Sequence, residues 1–412
     1  MDDNHTPGPE VRAELERVAA DTLAHAHAGT MSYADAVMRL DAGAYADPAR
    51  FDRELSRLFR RIPLMLALSC ELAEPGAFRT MEVAGVPLLI ARSRDGTVRA
   101  MLNACSHRGS FVADGCGTAT RFSCPFHGWT FDLQGKLIGI ASRADFGEVD
   151  MAAHGLRLFP ALEKAGMIWV VLDPESRLDI AAFTGSFGDQ LQGLDLASWH
   201  MIDARTLEGA NWKLAFDAHI DWYHLPVLHR ESFGPHVTNR ALYHYYGPHL
   251  RMLRPQAENP PPPEEADPFR LDSAPGADWS MEALMMGGWI LFPNTSLYTV
   301  YPRGKRMLNI NRILPGRTVG ESRTVQMILS EQPPDEETRA AGLILANKIE
   351  AVVRDEDLAT SARQQRALAS GLLPAVQFGR NEGGNQHFHR WVERVIAADT
   401  AELPHLFAPG AL

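Results

Sequence analysis

Two short motifs that combine cysteine with histidine constrain the fold of this chain more than any other feature. Cys105-Ser-His107 is separated by sixteen residues from Cys124-Pro-Phe-His127. Two thiolates and two imidazoles can hold a [2Fe–2S] cluster in which the cysteines bind one iron and the histidines bind the other. Glycine follows each motif, and strand-like sequence lies on either side. The pattern predicts two hairpin tips that close on one metal cluster.

A tetrahedral zinc site is the main alternative for these four residues, because zinc accepts the same ligands. Zinc fingers and ribbons normally begin with two cysteines separated by two to four residues, whereas this chain begins with Cys-x-His. The spacing favours a Rieske-type cluster over zinc. The remaining cysteines, Cys70 and Cys116, are too few for a disulfide framework, so we expect a reducing, cytoplasmic setting.

Composition excludes several classes of function. The chain has 412 residues, of which 45% are hydrophobic and 22% charged, as expected for a globular protein with two or more domains. Its net charge of −11 argues against nucleic acid as a partner, because phosphates attract basic surfaces. We also expect no membrane span, because no apolar run approaches eighteen residues, and no secretory signal, because the N-terminus is acidic.

Three regions follow one another along the chain. Residues 1–60 form an N-terminal segment that is predicted to be helical from residue 9, with a break at Asp47-Pro48. Residues 61–175 are predicted to form a compact antiparallel β domain that carries the cluster. The supporting signals are the tight turn at Asp95-Gly96, a second hairpin over residues 131–137 and a buried strand at Met167–Leu172.

Residues 176–412 are predicted to form an α+β domain in which a long helix packs across an antiparallel sheet. The helix is expected at Asp335–Ala369, where apolar residues recur at helical spacing. The proline-rich stretch 254–268 is predicted to be an exposed loop. Strands are expected at 288–291, 295–301, 307–314 and 323–329.

A second candidate metal site lies in residues 217–229. His224, His229 and a carboxylate could form the two-histidine, one-carboxylate set of a mononuclear non-haem iron site. Five residues separate the histidines, which is poor spacing on a straight helix, and Pro226 is predicted to kink or end the helix between them. Asp221 is placed to orient the ring of His224. Taken alone, this pattern also fits polar residues on an exposed helix.

With both sites, the chain resembles the large (alpha) subunit of Rieske non-haem iron oxygenases, the ring-hydroxylating family. The resemblance covers most of residues 60–370, and it includes Asn211-Trp-Lys213 ahead of the second site. It implies a Rieske β domain inserted before a helix-grip catalytic domain. It also implies two cofactors, a [2Fe–2S] cluster held by Cys105, His107, Cys124 and His127, and a mononuclear Fe(II).

The resemblance also implies particular roles for residues of the second site. His224 and His229 would be the iron's histidines, and Asp357 its carboxylate, with Asp355 and Glu356 as close rivals. Asp221 would link an iron-bound histidine to His127 of a neighbouring subunit. Two residues depart from the family pattern and are predicted to be structural or to support the ligands; these are Asp217 and His219.

The activity implied is hydroxylation of an aromatic or alicyclic substrate by O₂, with electrons from NAD(P)H through a separate reductase, with or without a ferredoxin. Monooxygenation or oxidative demethylation of a non-aromatic substrate is the alternative. The assembly implied is a head-to-tail homotrimer, with or without a beta subunit. An apolar pocket is expected from Phe216, Val237, Met285, Met286, Trp289, Leu291 and Tyr298, with Arg230, Arg251 or Arg303 available for a substrate carboxylate.

Overall fold

The computed structural model describes residues 7–234, 237–255 and 279–408. Its N-terminal segment contains α1 (Pro9–Ala28), β1 (Met38–Asp41), α2 (Gly43–Ala46) and α3 (Pro48–Glu54). The prediction of helix as far as Asp47-Pro48 was therefore wrong. Gly29 ends α1 in the left-handed conformation, and β1 pairs with a strand far along the chain, β20 (Ala375–Phe378). Asp47 and Pro48 begin a helix, because Asp47 caps it and proline is tolerated in the first turn.

Eleven short strands build the cluster-bearing β domain as three antiparallel sheets, with the orders β10-β5-β4-β3-β6, β7-β8-β9 and β11-β12-β2. The strands are β2 (Leu64–Leu68), β3 (Ala77–Val83), β4 (Val86–Arg92), β5 (Val98–Leu102), β6 (Cys116–Thr118), β7 (Phe122–Ser123), β8 (Thr130–Phe131), β9 (Leu137–Gly139), β10 (Leu158–Phe159), β11 (Ala161–Lys164) and β12 (Met167–Val170).

The hairpin signals of the sequence are confirmed in this domain. Strands β4 and β5 pair from Arg92 with Val98, around the turn that contains Gly96. Strands β8 and β9 pair from Phe131 with Leu137. Strand β12 is fully buried between its neighbours β11 and β2. It ends at Val170, two residues before the predicted boundary.

A seven-stranded antiparallel sheet, in the order β13-β19-β18-β17-β16-β15-β14, is the centre of the second half. Its last four strands in chain order occupy the predicted positions, whereas the first three were not predicted from the sequence. The strands are β13 (His200–Gly209), β14 (Leu242–Tyr246), β15 (His249–Leu253), β16 (Gly288–Leu291), β17 (Thr295–Val300), β18 (Met307–Pro315) and β19 (Ser322–Ser330).

The predicted helix after this sheet is confirmed, and it packs across the sheet. Asp335 caps its start by accepting a hydrogen bond from the Thr338 N–H. It runs through α10 (Glu336–Val352), a π-helical turn (Val353–Leu358) and α11 (Ala359–Ala369). The remaining helices are α4 (Arg143–Phe146), α5 (Ile180–Leu191), α6 (Trp212–Ile220), α7 (Leu225–Leu228), α8 (Arg230–Phe233), α9 (Met281–Leu284), α12 (Gly383–Ala397) and α13 (Leu403–Leu406).

A buried ion pair joins the N-terminal segment to the helix that leads to the second site. Glu54, which is fully buried in α3, accepts hydrogen bonds from Lys213 Nζ at 2.6 Å and Trp212 Nε1 at 2.8 Å. Arg50 contacts the other carboxylate oxygen at 3.0 Å. Burying one of these charges alone would be costly, so the pair keeps α3 and the start of α6 in a fixed relation.

The boundaries predicted at residues 60 and 175 stay predictions, and the pairing of β1 with β20 ties the N-terminal segment to the end of the second half. Apart from Arg254 and Pro255, the predicted proline-rich loop 254–268 lies outside the described residues. None of the helices in the described ranges is long and apolar enough to cross a lipid bilayer.

Gly166→Ala should destabilise the protein more than Gly96→Ala. Both glycines have positive φ, which costs an alanine about 1 kcal/mol. A Cβ on Gly96 meets open space, whereas one on Gly166 would lie 2.5 Å from the backbone nitrogen of Ala197. We expect Gly166→Ala to lose roughly 1–3 kcal/mol beyond the control, because the β11–β12 turn packs directly on that backbone. Thermal and denaturant unfolding of the two variants measure the difference, and equal losses would contradict this packing.

Candidate functional site

The first site is built from two similar turns at the tips of hairpins. Gly109 N–H donates to the Cys105 carbonyl, and Gly128 N–H donates to the Cys124 carbonyl. Both glycines adopt positive φ, which explains why glycine follows each motif. Each cysteine backbone is also bonded across its own loop, Cys105 to Ser110 and Cys124 to Trp129. The loop geometry predicted from the sequence is therefore present.

These turns bring together all four side chains of the Cys/His motifs. Cys105 and Cys124 are buried and close enough to share a hydrogen bond. The rings of His107 and His127 lie nearer the surface, with centroids 4.8 Å apart, and His107 stacks on Trp129. Two thiols on one side and two imidazoles on the other match the ligand division of a Rieske cluster.

The second site begins where α6 ends. Ile220 is the last residue of α6, and Asp221 is extended. His224 precedes the single turn of α7, and His229 follows it. The predicted break between the histidines at Pro226 was wrong. Proline lies in the first turn of α7, where no hydrogen bond needs its N–H, and the chain instead bends before His224.

Three ligand atoms from distant parts of the chain converge at this point. His224 Nε2 and His229 Nε2 are 3.2 Å apart, and Asp357 Oδ1 lies 3.1 Å from His229 Nε2 and 3.6 Å from His224 Nε2. Within the described ranges, this is the one group of at least three His, Cys, Asp or Glu side chains whose ligand atoms all lie within 4.8 Å of one another, close enough to share a single metal ion. Asp221 Oδ2 lies 3.0 Å from His224 Nδ1, where it fixes the orientation of the ring.

The π-helical turn at Val353–Leu358 distinguishes between the three candidate carboxylates. Asp355 is exposed and pairs with Arg354. Glu356 binds the outer face of His229, with Oε2 at 2.7 Å from Nδ1, and it also accepts a hydrogen bond from Ser232. Asp357 alone reaches the point where the two Nε2 atoms meet. The geometry favours Asp357 as ligand and makes Glu356 the orienting partner of His229.

Burial and charge shape the protonation of the histidines around this point. Burial by itself would lower the pKa of His229, but the Asp357 and Glu356 carboxylates raise it above its ordinary value. Burial lowers the pKa of His219 to about 4, although it lies close enough to Asp357 and His224 to sense both. His219 is therefore neutral near pH 7, as a group that supports the ligands should be.

Asp217 belongs to a separate buried network. It accepts hydrogen bonds from Tyr45 at 2.6 Å and Asn385 at 3.3 Å, and its Oδ1 lies 2.9 Å from His389 Nε2. These contacts join α2, α6 and α12 one turn before Asp221. The sequence contained no signal for Tyr45 or His389, because each lies 172 residues from Asp217 along the chain.

The predicted pocket residues do not share one face of the sheet. Trp289 pairs with Arg251 and Leu297, whereas Tyr298 pairs with Gly288, so Trp289 and Tyr298 point to opposite faces. Arg251 is fully buried with Trp289 and donates to the carbonyls of Leu284 and Met286. Of the expected lining, Phe216, Met285 and Leu291 lie in the hydrophobic core, and Arg230 and Arg303 are exposed.

Both sites fit the metals that their ligands imply. His107 Nδ1 is a buried side-chain atom without a hydrogen-bond partner, and the buried Asp357 Oδ1 lies 3.1 Å from His229 Nε2 but without the geometry of a hydrogen bond. Buried polar atoms are normally bonded, so these two are suited to a ligand. The first site offers two thiols and two imidazoles, and the second offers two imidazoles and a carboxylate, which are the donor sets of a Rieske cluster and of non-haem Fe(II).

Comparisons with known proteins match two separate segments of the chain. Residues 63–152 match the Rieske [2Fe–2S] domain, and residues 196–398 match the ring-hydroxylating alpha subunit catalytic domain. The sequence is 30% identical over 191 residues to the glycine betaine monooxygenase oxygenase subunit of Chromohalobacter salexigens, covering 45% of this chain and 42% of that one. It is 26% identical over 204 residues to the anthranilate 1,2-dioxygenase large subunit of Acinetobacter baylyi, covering 47% and 43%. The matched segments thus span less than half the length of these relatives.

Solved structures share the architecture at greater coverage. A quaternary ammonium Rieske monooxygenase in complex with L-carnitine matches with a TM-score of 0.71 and 20% identity, over 89% of this chain and 96% of that one. Naphthalene 1,2-dioxygenase from Rhodococcus bound to indole matches with a TM-score of 0.71 and 18% identity, over 94% and 99%. At these identities the likeness concerns the fold. With both family models matched in order, the chain belongs to the large (alpha) subunits of the Rieske non-haem iron oxygenases.

Proposed function

We propose that this chain is the oxygenase component of a multicomponent enzyme that activates O₂ and hydroxylates a small organic substrate. The observation that carries the proposal is the convergence of His224, His229 and Asp357 in a chain that also has a Rieske domain. A Rieske domain alone could serve electron transfer. The added site offers a place where O₂ and substrate can meet the electrons, which arrive from NAD(P)H through a separate reductase.

A [2Fe–2S] cluster held by the two cysteines and two histidines of the first site would supply electrons, and an Fe(II) held by His224, His229 and Asp357 would supply O₂ activation. The protein's part is to hold the ligands. Asp221 and Glu356 fix the outer nitrogens of His224 and His229, so that both Nε2 atoms face the same point. Partner carboxylates of this kind keep ligating histidines in the correct tautomer.

We propose an aromatic or alicyclic substrate, with a non-aromatic substrate as the alternative. Relatives include anthranilate 1,2-dioxygenase, which supports a ring substrate and aromatic catabolism. Relatives also include monooxygenases named for glycine betaine and carnitine, which supports hydroxylation or demethylation of a non-aromatic substrate. The ligand set is compatible with either reaction. A cytoplasmic location stays a prediction.

Electron transfer between copies of the chain is part of the proposal. His127 is partly exposed at the tip of the β domain, and Asp221 lies at the edge of the second site beside the exposed Tyr223. In a head-to-tail trimer, Asp221 would join His224 to His127 of a neighbouring copy. Both residues are partly exposed, which supports this contact.

Iron and acid-labile sulfide measured on anaerobically purified protein test the two-site proposal. We expect about three irons and two sulfides per chain. Asp357→Ala should reduce the iron to about two and leave the sulfide unchanged, because it removes one ligand of the mononuclear site alone.

Asp355→Ala is the matched control for this measurement. Asp355 is exposed, lies two residues away on the same turn, and pairs with Arg354 outside the site. It should retain about three irons. If Asp355→Ala lost the third iron and Asp357→Ala kept it, the ligand assignment would be wrong.

Asp221→Asn should keep both metals and lose coupled turnover. An amide can still accept a hydrogen bond, but it removes the negative charge that joins the two centres. We expect product formation to fall by roughly 10–100-fold or more, with normal iron and sulfide content and normal reduction of the cluster by the reductase. Full activity with unchanged metal content would rule out the bridging role.

A further inference from the structure

One face of the large sheet carries an unusual buried stripe of polar side chains. Tyr298 and Asn309 are paired neighbours in β17 and β18. The next row on the same face contains Ser296, Asn311 and Gln326, which are paired across β17, β18 and β19. All but Tyr298 are 7% exposed or less. We call Asn309, Ser296, Asn311 and Gln326 the amide stripe.

The amide stripe lies on the side of the sheet that faces the second metal site. Ile328, the partner of Asn309 on β19, packs against Ala341 and Ala346 of α10, so the stripe faces that helix. Tyr298 donates a hydrogen bond to the His219 carbonyl at the end of α6. Burial and, to a smaller extent, the Asp357 charge raise the pKa of Tyr298. The stripe therefore begins directly beside the residues that support the metal ligands.

The hydrogen bonds within the stripe leave some of its groups unused. Gln326 Nε2 lies 3.2 Å from Asn311 Oδ1, and Asn311 Nδ2 lies 3.3 Å from Ser296 Oγ. Gln326 Oε1 and Asn309 Oδ1 are buried without a hydrogen-bond partner. A buried polar atom without a partner costs stability, so side chains that serve packing alone are normally apolar or fully bonded.

The charges around the amide stripe limit which chemical groups could complete its hydrogen bonds. The neighbouring cation on this face, Arg205, is bound by Asp203 and Glu350. The stripe itself is uncharged and offers amide and hydroxyl groups, which complement a neutral hydrogen-bonding group rather than a hydrocarbon or an unpaired carboxylate.

We propose that the amide stripe recognises the substrate, which carries a neutral hydroxyl or amide group that bonds to Asn309 and Gln326. This inference rests on the proposed oxygenase function and makes its substrate class more specific. A bare hydrocarbon ring would leave these amides buried and unpaired, and a site built with hydrogen-bonding groups discriminates strongly against ligands that lack them.

Thermal unfolding of Asn309→Leu separates recognition from a structural role. An amide that awaits a substrate can be replaced by an apolar side chain of similar size without loss, so we expect an unchanged or raised melting temperature. Asn103→Leu is the matched control, because Asn103 is also buried but its side chain accepts from the Val112 and Ala113 N–H groups and donates to the Ala113 carbonyl. It should melt at a clearly lower temperature. An equal fall in both variants would assign Asn309 a structural role and overturn the proposal.

Calorimetric titration of the iron-loaded protein with benzyl alcohol and with toluene tests recognition itself. The two probes share a ring and differ by one hydroxyl. We expect wild type to bind benzyl alcohol about tenfold more tightly, as one hydrogen bond implies, and Asn309→Leu to lose or reverse that preference. Equal binding of both probes, binding of neither, or an unchanged preference in the variant overturns the proposal. The iron and sulfide content of the same samples reports separately on the oxygenase function.

Discussion

The requirement that three ligand atoms meet at one point governs the second half of this molecule. His229 and Asp357 are 128 positions apart, and no regular element places them together. Two irregularities do so. The chain bends at Asp221 after α6, and the long helix contains a π-helical turn at Val353–Leu358. Such turns interrupt an α-helix at a cost and are frequent at functional sites.

Consecutive carboxylates in that turn have different tasks. Asp357 reaches the inner nitrogen of His229, while Glu356 reaches the outer one. A single short segment thus provides both the proposed carboxylate ligand and the carboxylate proposed to orient His229. The buried Glu54–Lys213 pair and the Asp217 network hold α6 against the N-terminal segment and α12. These contacts fix the position of the helix that leads to the second site.

The two faces of the large sheet differ in chemistry, and this difference bears on the substrate. The face that contains Trp289 packs into the hydrophobic core, whereas the face toward the metal site carries amides. We expected a largely apolar pocket because residues 216–300 contain many large hydrophobic side chains. Strand pairing assigns several of these residues to the other face, because neighbours along a strand alternate between faces.

The local features of this protein could be predicted from its residues alone. The turn glycines, the Asp95-Gly96 hairpin and the helical spacing after Asp335 all act within a few residues, and the Cys/His motifs carry their ligand chemistry in two short segments. Continuous helix in the N-terminal segment was not confirmed, because β1 is stabilised by pairing with β20 more than 330 residues away.

The folded structure was needed to distinguish Asp355, Glu356 and Asp357 as candidate ligands, since three acidic neighbours look alike until the π-helical turn gives each a different partner. It also decided which face of each strand meets the metal site and which residues hold Asp217. Those choices depend on contacts between distant segments, and their energies come from burial and pairing that no local pattern records.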